Sequence, residues 1–188
     1  MSARQRLVVG ISGASGFMYG VRALELLGSL GVETHLVMTR AAELTCRHES
    51  SMSLEQVHSL ADVVYSIDQL DAAVASGSFK TMGMLVAPCS MHTLSAVSSS
   101  LSDNLLTRAA DVVLKERRRL VLVTREAPLH LGHIRHMEQA TLMGAVIFPP
   151  VPVFYQGLQT VDEMVTHSVA RVLDLFGLDV PGVGRWGG

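Results

Sequence analysis

Hydroxyl side chains and glycines are concentrated in two short segments, each joined to an apolar run. The first, VVGISGASGFMYG at residues 8–20, has three glycines spaced by three, with serines between them. The second, APCSMHTLSAVSSS, begins at Ala87. Small residues after a buried strand bring backbone N–H groups and hydroxyls close to a phosphate. The two segments therefore predict a site for a phosphate-bearing ligand, and the hydroxyls expected to face it are Ser12, Ser15, Ser90 and Thr93.

The glycine spacing restricts the class of ligand. Its pattern, G-x-x-G-x-x-G, differs from the dinucleotide fingerprint. The second apolar run is followed by Thr39 and Arg40, where a dinucleotide-binding fold has an acid for the ribose. These features argue against NAD and for a ligand with a single phosphate. Two structural alternatives stay open: a tight strand-to-helix turn without a ligand, and N-capping of a helix by Ser90 or Thr93.

The most highly charged segment is TRAADVVLKERRRLVLVTREAP, residues 107–128. Arg125 and Glu126 directly follow an apolar run, at the position where open α/β sheets bind ligands. Taken alone, Lys115 and the basic residues 117–119 favour a solvated helix face with positive charge at its C-terminal end over a functional role.

The elements that position these residues follow from an alternation of short apolar runs with helical segments. The runs lack polar alternation, which indicates strands buried on both faces. They are Leu7–Ile11, Thr34–Met38, Met84–Pro88, Leu120–Val123 and Ala145–Phe148. Helices are predicted at Tyr19–Ser29, Arg40–Arg47, Leu54–Ala61, Asn104–Glu116, Ile134–Met143 and Thr160–Phe176. The pattern predicts an α/β fold, a flavodoxin-like or Rossmann-like three-layer, doubly wound parallel sheet.

Length and composition agree with one globular domain covering residues 1–188. Hydrophobic residues make up 48% of the chain, charged residues 17%, and the net charge is -2, which excludes a disordered chain and a general nucleic-acid binder. The mean hydropathy of +0.34 predicts that part of the apolar surface is covered in an oligomer.

Neither a membrane span nor a signal peptide is expected, because the apolar runs are too short. A cytoplasmic location is therefore predicted. Cys46 and Cys89 lie far apart and form no metal-type pair, so both are predicted to be reduced thiols.

Several motifs together resemble the UbiX-type flavin prenyltransferases, including those encoded beside phenolic acid decarboxylases. They are GISGASG, PCSMHTLSAV, RAADVVLKERRRLVLVTREAPL, VFYQ, VAR and the closing RW. The resemblance implies a dodecamer with FMN at the subunit interfaces and no metal. It also implies transfer of a dimethylallyl group from dimethylallyl phosphate to N5 and C6 of reduced FMN. The product would be the prenylated FMN that UbiD-type decarboxylases use.

The resemblance also assigns roles to residues at matching motif positions. Residues that would bind FMN are Gly13, Ala14, Ser15, Thr39, Ser90, Met91, His92, Thr93 and Arg125. Residues that would bind the prenyl phosphate are Arg108, Lys115, Tyr155 and Arg171. The catalytic set would be Glu49, Lys115 and Glu126.

These residue types suit the chemistry that the resemblance implies. Breaking an allylic C–O bond leaves a phosphate dianion, which lysine, arginine and a tyrosine hydroxyl stabilise. A carboxylate can carry protons while N5 and C6 exchange hydrogen for carbon. Apolar walls would protect the carbocation-like fragment from water.

One segment departs from the family pattern. Relatives commonly have HLENM where this chain has HIRHM, so Arg135 and His136 replace an acid and an amide, and HLG at residues 130–132 replaces small polar residues. The spacing of His130, His133 and His136 does not place them on one helix face, and no acidic ligand accompanies them, so a metal site is not predicted. Two other functions stay open: an FMN-binding carrier subunit, and a flavin-dependent cysteine-type decarboxylase, for which His48 beside Glu49 is the only support.

Overall fold

The computed structural model describes residues 4–184, and its centre is a six-stranded sheet in which every paired strand is parallel. The strand order is β3-β2-β1-β4-β5-β6. The strands are β1 (Arg6–Ile11), β2 (Glu33–Met38), β3 (Val63–Tyr65), β4 (Gly83–Cys89), β5 (Arg119–Thr124) and β6 (Val146–Ile147). The closing RW motif lies outside the described residues.

Within residues 4–184, seven helices and a short 3-10 turn at Ala73–Ala75 cover the two faces of the sheet. One face packs against α1 (Phe17–Ser29), α2 (Arg40–Glu49), α3 (Leu54–His58) and α7 (Val161–Asp174). The other packs against α4 (Met91–Ser98), α5 (Leu105–Lys115) and α6 (Leu131–Leu142). The three-layer, doubly wound parallel sheet predicted from the alternation of apolar runs and helices is therefore confirmed.

The strands are apolar throughout because both of their faces are covered. In β1, Leu7, Val9 and Ile11 contribute to one apolar layer, whereas Val8 contributes to the other. All seven residues of β4 are buried, which explains its continuous apolar sequence.

Two elements were not among those predicted. Strand β3 has only three residues, at the edge of the sheet, and such a run is too short for its periodicity to be recognised. Helix α4 lies in a serine-rich segment that favours a loop on composition alone, yet its buried Leu94 and Val97 pack it against the sheet. The last helix begins with a capping box: the Thr160 hydroxyl accepts a hydrogen bond from the Glu163 amide, and the Glu163 carboxylate accepts one from the Thr160 amide.

Helix α1 lies so close to the sheet that one position has no room for a side chain. A Cβ on Gly20 would lie 2.5 Å from the Ala87 carbonyl oxygen, whereas a Cβ on Gly28 of the same helix would meet nothing within 4 Å. We expect Gly20→Ala to lower the free energy of unfolding by about 1–3 kcal/mol through overpacking. Gly28→Ala should raise it by about 0.5–1 kcal/mol through helix propensity. Thermal or denaturant unfolding of both variants measures the difference, and equal stability of the two would contradict this close packing.

Candidate functional site

A crevice of about 710 Å³ opens at the carboxyl edge of the sheet. It is bordered by the segments that follow β1, β2, β3, β4 and β5, so it spans the point where the crossovers change direction, the usual ligand position in open α/β sheets. It is lined by Gly13, Thr39, Arg40, Ala41, Ile67, Asp68, Ser90, Met91, His92, Thr93, Asp103, Asn104 and Glu126. Seven residues that the resemblance assigned to FMN binding or catalysis thus share one crevice.

Two helices begin at this crevice, and each is capped by a predicted site residue. The Thr39 hydroxyl accepts a hydrogen bond from the Ala42 amide at 3.1 Å, and the Ser90 hydroxyl accepts one from the Thr93 amide at 3.2 Å. The N-capping alternative is therefore correct for Ser90. Capping and ligand binding are compatible, because the first-turn amides of Met91 and His92 have no acceptor within the helix. Two converging helix N-termini form a site suited to an anion.

The loop after β1 approaches helix α2 closely. A Cβ on Gly13 would lie 2.3 Å from the Ala41 Cβ, so only glycine fits beside the first turn of α2. This contact brings the backbone of the loop to the wall of the crevice.

Ser12 does not face the crevice, contrary to expectation. It is fully buried, its hydroxyl donates to the Pro88 carbonyl at 3.0 Å, and it accepts a hydrogen bond from the Ser90 amide at 2.8 Å. Both of these partners belong to the segment that ends β4 and begins α4. Ser12 therefore joins the two loops instead of contacting a ligand.

Glu49, at the end of α2, caps a third helix, α1, whose first residue precedes it by more than 30 residues in the sequence. Gly16, with φ of 97°, begins α1 without a side-chain cap, and its amide donates to the Glu49 carboxylate at 2.8 Å, as the Phe17 amide does at 3.0 Å. Burial acts to raise the pKa of Glu49, but hydrogen bonds from Ser15, Phe17 and Gly16 and the charge of Arg125 hold it below its ordinary value. Glu49 is thus an ionised group with fixed donors around it.

Arg125 lies near this carboxylate, beside the first turn of α1. Its side chain passes next to Gly16, and its charge acts on both Glu49 and Tyr19. Burial raises the pKa of Tyr19, and Arg125 opposes that change only in part. Ser15, Arg125 and Glu49 therefore form a polar cluster outside the lining of the crevice, with one positive and one negative charge.

The rim of the crevice carries several acidic groups. Arg40 forms an exposed ion pair with Asp68 at 2.7 Å, and Asp103 and Glu126 are also in the lining. Glu126 accepts a hydrogen bond from the Ala127 amide at 3.0 Å. No motif in the sequence predicts Ile67, Asp68, Asp103 or Asn104 as lining residues. The only available signal was the capping box of Asn104 and Thr107, which marks the start of α5.

Four predicted site residues lie away from the crevice. Lys115, at the end of α5, pairs with Glu116 at 2.6 Å near the amino edge of the sheet, where β5 begins. Arg108 pairs with Asp111 at 2.9 Å on the same helix. Arg171 bonds to Asp174 near the end of α7, and Tyr155 lies in the exposed segment after β6, with 59% of its surface accessible. One copy of the chain therefore does not bring all the predicted residues together.

The three histidines of the segment that differs from the family pattern, residues 130–137, do not share one environment. His130 caps α6 by accepting a hydrogen bond from the Gly132 amide at 3.0 Å, and its ring lies against that of His133, with 3.6 Å between centroids and a tilt of 32°. His136 instead points to α4, where it contacts Ser95 and Ser98. Within residues 4–184, no group of three or more His, Cys, Asp or Glu side chains is arranged to hold a metal ion.

No helix within the described part of the chain combines the length and apolarity needed to cross a bilayer. Cys46 and Cys89 are both buried free thiols, as predicted.

Comparison with known proteins relates this geometry to a family. The Flavoprotein family model matches residues 1–173. The chain is 57% identical over 184 residues to the flavin prenyltransferase UbiX of Neisseria meningitidis, covering 98% of this chain and 97% of that one.

Two solved structures are also similar over nearly the whole chain. One is AnUbiX (PadA1) in complex with FMN and dimethylallyl pyrophosphate, with a TM-score of 0.97, 50% identity and 98% coverage of both chains. The other is a dodecameric FMN-dependent UbiX-like decarboxylase from Escherichia coli O157:H7, with a TM-score of 0.95, 47% identity, and coverage of 98% of this chain and 100% of that chain.

Proposed function

Because this chain belongs to the Flavoprotein family and, within it, to the UbiX-type flavin prenyltransferases, we propose that it joins the dimethylallyl group of dimethylallyl phosphate to N5 and C6 of reduced FMN. The product is prenylated FMN, which a UbiD-type decarboxylase receives. The observation that carries this proposal is the crevice at the carboxyl edge, where α2 and α4 both begin.

The crevice suits the phosphate of FMN. The first-turn amides of α4 and the dipoles of α2 and α4 attract a dianion, and the hydroxyls of Thr39 and Ser90 lie at the same helix ends. Gly13 packs closely against α2, and its backbone lines the same crevice. We assign FMN binding to these residues together with Ala14, Ser15, Met91, His92, Thr93 and Arg125.

Bound reduced FMN supplies the nucleophilic N5 and C6 atoms that accept the prenyl carbons. We assign to Glu49 and Glu126 the transfer of protons at the flavin, and the donors around Glu49 favour its charged form by lowering its pKa. Arg108, Lys115, Tyr155 and Arg171 bind the prenyl phosphate and stabilise the charge that develops on it as the C–O bond breaks.

The separation of these residues in one chain is consistent with a site built from several subunits. Helix α5 spans about 16 Å, so Lys115 at its end cannot reach the crevice that its first turn borders. A neighbouring copy can supply this cation, as expected for FMN at subunit interfaces. Exposed apolar side chains support such assembly: Leu131, Leu142, Val151 and Phe154 are 59–82% accessible. We propose a homododecamer, the same number of subunits as in the dodecameric UbiX-like protein from Escherichia coli O157:H7.

The remaining assignments concern organisation and alternatives. Residues 1–188 constitute one flavoprotein domain, and its location is the cytoplasm. The carrier and cysteine-type decarboxylase alternatives are disfavoured, because identity to flavin prenyltransferases reaches 57% along nearly the whole chain. Retention of Glu49, Lys115, Glu126, Tyr155 and Arg171 also favours catalysis over storage.

Removal of the Ser90 hydroxyl tests the phosphate site. Ser90→Ala should weaken FMN binding by about tenfold, because the cap is lost and the α4 amides are less well positioned. Affinity for riboflavin, which lacks the phosphate, should change by less than about twofold, because it does not use that site. Fluorescence titration of each flavin gives both values. An equal loss for both flavins, or no loss for FMN, would contradict a phosphate at the start of α4.

A further inference from the structure

His136 joins helix α6 to helix α4, the wall of the crevice. Its Nδ1 lies 2.8 Å from the Ser98 hydroxyl oxygen, and its Nε2 lies 3.3 Å from that of Ser95. Ser98 is buried and donates its only hydroxyl proton to the Ser95 carbonyl at 3.0 Å. With that proton engaged, Ser98 accepts a hydrogen bond from Nδ1 of His136, and Nε2 lies within hydrogen-bond distance of the Ser95 hydroxyl. Both ring nitrogens are satisfied by one face of α4.

Helix α4 depends on such contacts for its orientation. It has eight residues, and a helix of about two turns is unstable without tertiary contacts. At its N-terminal end, the Ser90 amide donates to the buried Ser12 hydroxyl at 2.8 Å. At its C-terminal end, His136 bonds to Ser98. A side chain of the β1–α1 loop thus holds one end of α4, and a side chain of α6 holds the other.

We infer that His136 is a positioning residue for the flavin, acting through α4. The inference rests on the FMN site proposed above. Helix α4 is about 12 Å long, so a tilt of about 5° at its C-terminal end displaces the other end by about 1 Å. Such a displacement moves Ser90 and the amides of Met91 and His92 relative to the phosphate, and hydrogen bonds to an anion depend on that geometry. The departure from the family pattern at position 136 therefore supports the flavin site without touching the flavin.

Variants at position 136 test this role. His136→Ala should raise the Kd for FMN by about tenfold, because α4 loses two hydrogen bonds. The KM for dimethylallyl phosphate and kcat at saturating FMN should stay within about twofold, because none of the residues assigned to the prenyl phosphate lies on α4. His136→Asn retains one donor and one acceptor and should restore the Kd to within about threefold of the wild-type value.

A matched control separates positioning from general stability. Val165→Ala removes buried volume on the opposite face of the sheet and should lower Tm without changing the Kd for FMN. Failure of the wild-type protein to bind FMN would overturn the proposed function itself. Normal wild-type binding with unchanged affinity in His136→Ala would overturn the positioning role alone, and so would an equal loss of affinity in Val165→Ala. Ser98→Ala provides a second measurement from the α4 side and should also weaken FMN binding.

Discussion

Replacing Glu49 with glutamine is expected to lower turnover by about two to four orders of magnitude, while FMN affinity falls by less than about tenfold. Glutamine keeps an oxygen that can accept from the amides of Gly16 and Phe17, so the start of α1 retains its cap. It cannot hold or release a proton, which is the function assigned to this carboxylate. Single-turnover kinetics with reduced FMN and dimethylallyl phosphate, combined with flavin titration, distinguish the two effects.

Glu49→Gln should also change how the Tm of the protein depends on pH in the acid range. The surrounding donors lower the pKa of Glu49 in the folded state. Its ionised form therefore stabilises the fold above the unfolded pKa, and this contribution is lost as the pH falls through the folded value. The wild-type Tm should consequently fall more steeply below about pH 4.5 than that of Glu49→Gln.

Glu43→Gln is the matched control, because it makes the same change in the first turn of the same helix. It should leave turnover near the wild-type value. Wild-type turnover in Glu49→Gln would remove Glu49 from the catalytic group.

Coexpression of two variants that are each inactive is expected to recover activity. Lys115→Ala removes the cation near the amino edge of the sheet, and Glu49→Gln removes the carboxylate at the start of α1. Each homo-oligomer should be nearly inactive. If Lys115 acts on the site of a neighbouring copy, random coassembly leaves about a quarter of the sites with both native residues, so the mixture should regain about a quarter of wild-type turnover.

Lys80→Ala is the control for the loss of a lysine, since Lys80 is the only other lysine in the chain and is exposed. Expressed without a second variant, Lys80→Ala should retain wild-type turnover. Coexpressed Lys115→Ala and Glu49→Gln chains that stay as inactive as the separate variants would contradict a site shared between subunits.

The fold was predictable because its strands are buried on both faces. Continuous apolar runs such as LVVGI identify central strands of a parallel sheet, and capping residues such as Thr160 identify helix starts. Strand β3 was missed because three residues at a sheet edge carry too little pattern. Helix α4 was missed because its serines favour a loop locally, whereas its packing against the sheet and its bonds to His136 favour a helix.

The candidate site was predictable where ligand contacts follow strands in sequence. Gly13, Thr39 and Ser90 each come just after a strand, and parallel strands bring those ends to one crevice. Contacts between distant segments were not predictable from spacing. The burial of Ser12 and the capping of α1 by Glu49 depend on how the helices pack. The distance of Lys115 from the crevice of its own chain is explained only by an oligomer, in which Lys115 acts on the crevice of a neighbouring copy.

The most direct test of the proposed reaction is the mass of the flavin product. The purified protein is incubated without oxygen with reduced FMN and dimethylallyl phosphate, and the extracted flavin is analysed by mass spectrometry. We predict a gain of one five-carbon prenyl unit, which forms at least about a hundredfold more slowly when Glu49→Gln replaces the wild-type protein. Bound flavin of unchanged mass with the wild-type protein would contradict prenyl transfer.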